Sequence, residues 1–308
     1  MTENKDYILD MKNCCLCPRN CGADRTKGEN GFCLSGELPK AALASIHNYE
    51  EPPISGTRGS GTVFFSGCNL KCIFCQNYTI SQQNYGKTIT TDELAEIFIN
   101  QQKRNVHNLN LVSAGHFIVP VRQALIKAKE NGLSIPVVYN SSGYEKAESI
   151  KLLDGLVDIY LPDIKYFSAE FSKKYSFAEN YFEYASKAVE EMYRQVGKPV
   201  FDKDGIMKKG VIIRHLVLPN CRKDSFKILD YIKNTFGDNV YVSLLSQYTP
   251  MYKAKETKEL NRRITSFEYN SVIDYFFKIG LKNGYMQEKS SAESTYTPIF
   301  DLSGIDIK

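Results

Sequence analysis

From residue 62 onward the chain repeats one pattern: a short apolar run, a loop, then a stretch with apolar residues at helical spacing. "TVFFSG" (62–67) reads as a buried strand ending at Gly67. "TTDELAEIF" follows, with Thr90 and Glu93 as a capping box and Leu94, Ile97 and Phe98 on one helical face. "NLNLVS" (108–113) is a strand. Pro120 opens a helix with Val121, Ala124, Leu125 and Ala128 on one stripe, closed by Asn131-Gly132. "IPVVYN" (135–140), "VDIYLPD" (157–163), "GVIIRHLVLP" (210–219) and "NVYVSLLS" (239–246) add four strands. Helical patterns at 144–153, 178–196 and 224–236 separate them, and a last helix spans 266–280.

Six strands alternating with helices predict an α/β fold with a parallel sheet covered by helices. Six units fall short of a closed eight-fold barrel. They suit an open partial barrel or a doubly wound sheet, and in either case reactive loops belong at the carboxyl ends of the strands. The chain before residue 62 lacks this pattern. Residues 14–33, "CCLCPRNCGADRTKGENGFC", hold five Cys among Gly and Pro breakers and read as a small metal-organised knot. Residues 48–61, "NYEEPPISGTRGSG", read as a linker or wrapping loop. The expected division is a Cys-rich extension over 1–47, a barrel over 48–284, and a tail over 285–308 packing on or near it.

Composition narrows the function classes. The 308 residues are 43% hydrophobic and 24% charged, as in ordinary globular proteins. A net charge of +4 is too weak to argue for nucleic acid or an anionic membrane. No run reaches the roughly 18–20 apolar residues that a bilayer span needs. The start, "MTENKDYILDMKN", is polar and lacks a signal-peptide core, so the expected location is cytoplasmic, where thiols stay reduced. Of the nine Cys, eight fall in the first 75 residues, which points to metal ligation before disulfides. Cys221, the exception, reads as a spare thiol near the active face.

The densest chemistry is "SGCNLKCIFCQN" (66–77), which carries Cys68, Cys72 and Cys75 directly after the first strand. A structural zinc site takes four protein ligands, and no Cys or His follows until His107. Three soft ligands from one tight loop match a 4Fe–4S cube whose fourth iron is left for a small molecule. If that molecule is S-adenosylmethionine, one electron from the cluster cleaves its sulfonium bond. The product is a 5′-deoxyadenosyl radical that abstracts hydrogen atoms. Zinc, or plain core thiols, is the competing reading.

"CNLKCIFC", with Phe74 before the third Cys, resembles the signature of radical S-adenosylmethionine enzymes. "EEPPISGTRGSGTVFFSGCNLKCIFCQN", "VVYNSSGYE", "DIYLPDIKY" and "RHLVLPN" are similar to a branch of pyruvate formate-lyase-activating-enzyme homologues with an extra N-terminal cysteine run. The likeness runs from about residue 14 to the C-terminus. It implies a partial (β/α)6 TIM-like barrel, a cytoplasmic oxidoreductase activity, and an electron donor such as flavodoxin or ferredoxin.

The resemblance also implies cofactor contacts at later strand ends. Many members have Gly-Gly-Glu after the second strand. This chain has "SAGHF" (113–117), which offers Gly115 for close backbone approach but lacks the carboxylate. Ser113, the backbone of Ala114, or neutral His116 is left to accept the cofactor's ammonium hydrogens. His116 is alternatively a loop histidine with a structural bond. Asn140 and Ser142 in "YNSSG" match a segment that holds the cofactor or a nearby cation; a plain turn would favour the same residues. Asp163 and Lys165 lie two apart, hence on one side of an extended chain, and match the family's Asp-x-Lys pair. Arg214, inside an apolar strand, points into the barrel as a carboxylate clamp or as a partner of Asp163. His215 faces the other way and reads as core. Gln247 and Tyr248 stand where related enzymes have a Tyr-His pair.

Cys14, Cys17, Cys21 and Cys33 form a second set of four soft ligands, for a second 4Fe–4S cluster or for zinc, with Cys15 a bystander. Arg19 and Arg25 between them read as solvated, with an acidic partner as the alternative; Glu50 and Glu51 in their Pro-rich turn read as solvated, with substrate contact as the alternative. The expected function is reductive cleavage of S-adenosylmethionine followed by hydrogen abstraction. The substrate is left open between a glycine in a partner protein, as in glycyl-radical activation, and a small molecule or peptide. The alternative is a metal-stapled binding or electron-transfer module without that chemistry.

Overall fold

The computed structural model describes residues 11–288 and 298–306. The first ten residues of the polar N-terminal start, and residues 289–297 and 307–308 of the tail, lie outside the described residues.

Ten strands run in chain order: β1 (Lys40–His47), β2 (Ser60–Phe65), β3 (Lys87–Thr88), β4 (Leu109–Val112), β5 (Val137–Ser141), β6 (Ile159–Pro162), β7 (Val200–Phe201), β8 (Met207–Leu216), β9 (Tyr241–Leu245) and β10 (Gly284–Met286). They order as β10-β9-β8-β6-β5-β4-β2-β1-β3, with β7 paired to β8 off that path. Every pairing from β2 to β10 along the path is parallel, whereas β1 runs antiparallel to β2 and β3. The six expected strands are all present, in the expected order. The sheet curls without closing, as an open partial barrel.

The parallel strands separate two environments because side chains alternate with period two. One register row reads Val63, Leu111, Tyr139, Tyr160, Val211, and every one of these packs under the helices in the main core. The adjacent row reads Phe64, Val112, Asn140, Leu161 and faces the lumen. Asn110 shares the lumen face, two residues before Val112. Arg214 lies two residues beyond Ile212, and a bridge ties it to Asp163. Polar residues in otherwise apolar strands are thereby gathered on one surface.

The outer layer includes α1 (Thr91–Lys103), α2 (Ile118–Glu130), α3 (Ala169–Ser176), α4 (Tyr181–Val196), α5 (Arg222–Phe236) and α6 (Ser266–Lys278). The expected capping box closes α1, with Thr90 accepting from the Glu93 N–H and Glu93 accepting from the Thr90 N–H. A second box, Thr265 with Glu268, starts α6. Helix α2 begins at Ile118, two residues before Pro120. Proline is tolerated there because first-turn N–H groups have no helical acceptor. The helix expected over 144–153 contracts to Ala147–Ile150 and a 3₁₀ turn, Lys151–Leu153. The expected linker over 48–61 contains the helical turn Pro52–Ser55. The tail segment 298–306 lies along β1: Ala44 N–H donates to Ser303, Leu302 N–H donates to Ala42, and Ile305 is buried.

Candidate active site

A cavity of about 590 Å³ opens at the carboxyl ends of the strands and runs down into the lumen. Cys68, Cys72, Cys75 and Phe74 line its mouth. The loop that carries them is held on both flanks. The Ile73 N–H donates to Tyr175 O at 2.9 Å, and Asn69 Nδ2 donates to Tyr144 O at 2.6 Å. Each sulfur has its own polar neighbour: the Leu70 N–H at 3.4 Å from Cys68, the Ser176 hydroxyl at 3.0 Å from Cys72, and the Ser81 hydroxyl at 3.2 Å from Cys75. Burial pushes the Cys68 thiol up to about 12 and the Cys75 thiol up to about 11. Positive charge from iron would offset that burial, and a metal ligand must be the thiolate. Phe74 packs edge-on against Tyr248 with centroids 5.9 Å apart.

Below the thiols lies a buried charged network. Arg214 donates to Asp163 at 3.0 Å, to Asn140 at 2.5 Å and to Glu50 at 3.4 Å. Lys165 donates to the other Asp163 oxygen at 2.5 Å, so the two residues do share one side of the chain. Asn110 and Asn140 donate to the second oxygen of Glu50. Burial alone would raise the Asp163 carboxyl, but Arg214 and Lys165 outweigh it and hold it below the usual range. Burial also works against the charge on Lys165, and Asp163, with a smaller influence from Cys72, more than restores it. Burial dominates at Glu50 and Glu51 and raises both, although Arg214 pulls the other way.

Glu50 and Glu51 are therefore not in a solvated turn: the Glu50 side chain is 9% exposed, and Glu51 Oε2 is buried without a partner. The Pro52–Ser55 turn folds both carboxylates inward, where Arg214 and the lumen asparagines replace water. Both residues line the cavity. Arg214 has Asp163 as its ion-pair partner, one of the two expected arrangements.

Asn140 and Ser142 line the cavity, and so do Gln247 and Tyr248. His116 lines instead the small space that Cys68, Ser113, Ser142 and Glu145 share. It is 3% exposed, and its Nε2 donates to Ser66 O at 2.8 Å. Burial, the largest influence, lowers it to about 3, so the ring is neutral. His215 is likewise core, between Ile164 O and the Ser225 hydroxyl. Cys221 is buried at the start of α5.

Gly115 approaches a side chain. A Cβ there would lie 2.8 Å from the Glu145 carboxyl. Glu145 accepts from the Tyr139 hydroxyl at 2.8 Å and from the Ser141 hydroxyl, and it has no cation among its hydrogen-bond partners. A small space beside it is shared by Cys68, Ser113 and Ser142. Ser113 has φ +60°, a strained value for a non-glycine residue at a strand end. The helical spacing of "YEKAESIKLL" hid Glu145, whose residue type suggests a solvated helix face.

The N-terminal segment packs against this site. The Cys68 N–H donates to Cys33 O at 3.3 Å. Arg19 donates to the carbonyls of Asn69 and Phe177 at 2.8 and 2.5 Å. Arg25 is 2% exposed. The expectation that these arginines are solvated is corrected: backbone carbonyls of the barrel loops take the place of water.

Comparison with known proteins agrees with this geometry. The family model described as the radical SAM superfamily matches residues 62–220. Uncharacterized protein MJ0674 of Methanocaldococcus jannaschii is 35% identical over 283 residues, covering 88% of this chain and 76% of its own. Uncharacterized protein MJ0808 of the same organism is 26% identical over 310 residues, covering 92% and 84%. Among solved structures, Streptococcus suis SuiB bound to precursor peptide SuiA superposes with TM-score 0.50 at 12% identity. That match covers 72% of this chain and 46% of SuiB, less than half of its length, and it concerns the fold alone. No helix among the described residues is long and apolar enough to cross a membrane. The family match over residues 62–220, half of the chain, shows that this chain belongs to the radical SAM superfamily, whose cofactors are a 4Fe–4S cluster and S-adenosylmethionine.

Proposed function

We propose that the protein is a radical S-adenosylmethionine enzyme of the activating-enzyme-like type, which takes a hydrogen atom from a substrate admitted to the lumen. The observation that carries this is the convergence of Cys68, Cys72 and Cys75 on the mouth of a cavity floored by the Asp163–Lys165–Arg214–Glu50 network. The donor set fits the cluster: three soft thiols, each with a polar neighbour at its sulfur, and no fourth cysteine in the loop. The chemistry supplied by the bound cofactors is one-electron cleavage of the sulfonium to methionine and a 5′-deoxyadenosyl radical, which becomes 5′-deoxyadenosine on taking hydrogen.

The chain's own residues bind and orient. Lys165, close to Cys72 and ionised by Asp163, meets the methionine carboxylate. Asp163, fixed by two cations, receives a ribose hydroxyl. Arg214 acts as a positioning residue, since all its contacts hold Asp163, Asn140 and Glu50 in place. Glu145 offers the carboxylate that "SAGHF" lacks, next to Gly115 and the small space beside Cys68. Phe74 and Tyr248 wall the mouth against water.

Within this reading the substrate is a glycine of a partner protein. The test uses anaerobically reconstituted enzyme and a candidate partner labelled with deuterated glycine. The reading expects deuterium in the 5′-deoxyadenosine and a glycyl-radical resonance. Unlabelled 5′-deoxyadenosine with no radical on the partner would overturn the glycine assignment.

A further inference from the structure

The four cysteines Cys14, Cys17, Cys21 and Cys33 lie in one small knot, tied by hydrogen bonds from Cys14 N–H to Ala23 O and from Gly22 N–H to Cys14 O, each 3.1 Å. Three of the sulfurs belong to buried residues and Cys21 is exposed. Gly31 leaves room between two of them. A Cβ there would stand 2.9 Å from the Cys21 sulfur and 3.8 Å from that of Cys33.

Arg25 supplies an independent observation. It is 2% exposed and donates to Cys33 Sγ at 3.3 Å and to His116 O at 2.6 Å. Its Nε is buried without a partner. No carboxylate of the described residues forms a salt bridge with it. A buried guanidinium without an anion is strongly unfavourable. Its nearest side-chain neighbour is the Cys33 sulfur, with Cys14 and Cys21 close enough to feel its charge. Four thiolates on a metal centre would carry net negative charge, which is the counter-ion that Arg25 lacks. Zinc on four thiolates would carry the same charge; a redox-active cube is favoured by the direct contact of this knot with the other cysteine loop, where the Cys33 carbonyl accepts the Cys68 N–H at 3.3 Å.

We propose that Cys14, Cys17, Cys21 and Cys33 hold a second 4Fe–4S cluster, with Arg25 as its buried counter-charge, and that it relays electrons to the cluster on Cys68, Cys72 and Cys75. The path is set by the fold. Cys21 faces solvent, where an external flavin or iron–sulfur protein delivers one electron. Cys33 is buried, and its carbonyl accepts the Cys68 N–H at 3.3 Å, so ligand loops of the two centres touch directly. One electron enters and one leaves; no bond forms and no proton moves. The relay rests on the function proposed above, whereas the second cluster itself does not.

Two full-length variants test this. Cys68→Ala/Cys72→Ala/Cys75→Ala, reconstituted anaerobically with iron and sulfide, is expected to retain about four irons per chain, with a reduced-state EPR signal unchanged by S-adenosylmethionine. An iron-free or zinc-bound triple variant would overturn the cluster, whatever the barrel does. Cys14→Ala/Cys17→Ala is expected to keep the S-adenosylmethionine-responsive signal. Its reduction by reduced flavodoxin should slow by about tenfold or more, while reduction by dithionite stays as in wild type. Equal rates with flavodoxin would overturn the relay and leave the cluster standing. A second arm, Gly31→Ala, places a methyl against Cys21 Sγ and is expected to lower N-terminal iron occupancy with the barrel cluster retained.

Discussion

Arg214 is the side chain on which the lumen network turns, and Arg214→Leu removes its charge while keeping much of its apolar bulk. Three contacts are lost: Asp163 at 3.0 Å, Asn140 at 2.5 Å and Glu50 at 3.4 Å. Hydrogen bonds to charged groups contribute about 1.5–3 kcal/mol each, so a plain sum is about 4.5–9 kcal/mol. That sum is too high. The Glu50 contact is long, Asp163 keeps Lys165, and Glu50 can take up a proton. The cost then settles near the 3–5 kcal/mol typical of a buried ion pair that loses one partner. Removing the stranded charge as well should recover part of it, so Arg214→Leu/Glu50→Gln should be more stable than Arg214→Leu alone. The assay is urea unfolding of the metal-free proteins at pH 7, where cluster loss does not enter. A single-variant cost under about 1 kcal/mol, or a double variant no better than the single, would refute the network as the organiser of the lumen.

Further outcomes follow from the same geometry. His215 is lowered to about 4, mainly by burial, against about 6.5 when unfolded; the unfolded chain therefore binds the extra proton as pH falls, and stability present above pH 6.5 is lost below it. Between pH 7 and 5 this amounts to about 2 kcal/mol, and a His215→Gln variant should show a pH slope shallower by that much in unfolding titrations; an unchanged slope would contradict the assignment. Gly143 has φ +78° and an added Cβ would meet the Asp163 carbonyl at 2.1 Å, so Gly143→Ala should cost about 2 kcal/mol or more and weaken S-adenosylmethionine binding; wild-type behaviour in both assays would count against the site. Glu145→Gln should weaken S-adenosylmethionine binding about tenfold, read from the cofactor-induced change in the cluster spectrum, with the unfolding midpoint little changed; unaltered affinity would remove Glu145 from the cofactor site.

Much of the barrel was legible because its strands carry apolar runs that only a sheet covered on both sides uses. "NLNLVS" and "VDIYLPD" could be little else. Strand β1 was missed because "KAALASIH" is Ala-rich with weak alternation, and its place between β2 and the two-residue edge strand β3 is fixed by pairing with both. Strand β10 has three residues, too few for any period to show. The cysteine loop was legible because its chemistry lies in spacing. Asp163 and Lys165 were legible because period two dictates their side. Glu50, Glu51, Glu145 and Arg25 were not. A charged residue in a polar stretch looks the same whether it meets water or a protein partner; the partner of Glu50 is far away in sequence, and those of Glu145, Tyr139 and Ser141, are near but carry no charge that would signal a pairing. Glu50 meets Arg214, and Arg25 meets His116 O and Cys33. His116 was ambiguous for the same reason: its strand-end position suggested the cavity, and a bond to the Ser66 carbonyl holds it instead at the small space beside Cys68.

The central claim is that three thiolates at the mouth of the lumen hold a cluster with one iron open to S-adenosylmethionine. Anaerobically reconstituted wild-type protein, reduced with dithionite and mixed with S-adenosylmethionine, tests it directly. The account predicts a shifted EPR spectrum of the reduced cluster and formation of 5′-deoxyadenosine, both lost in Cys72→Ala. A spectrum indifferent to S-adenosylmethionine, with no 5′-deoxyadenosine formed, would contradict it.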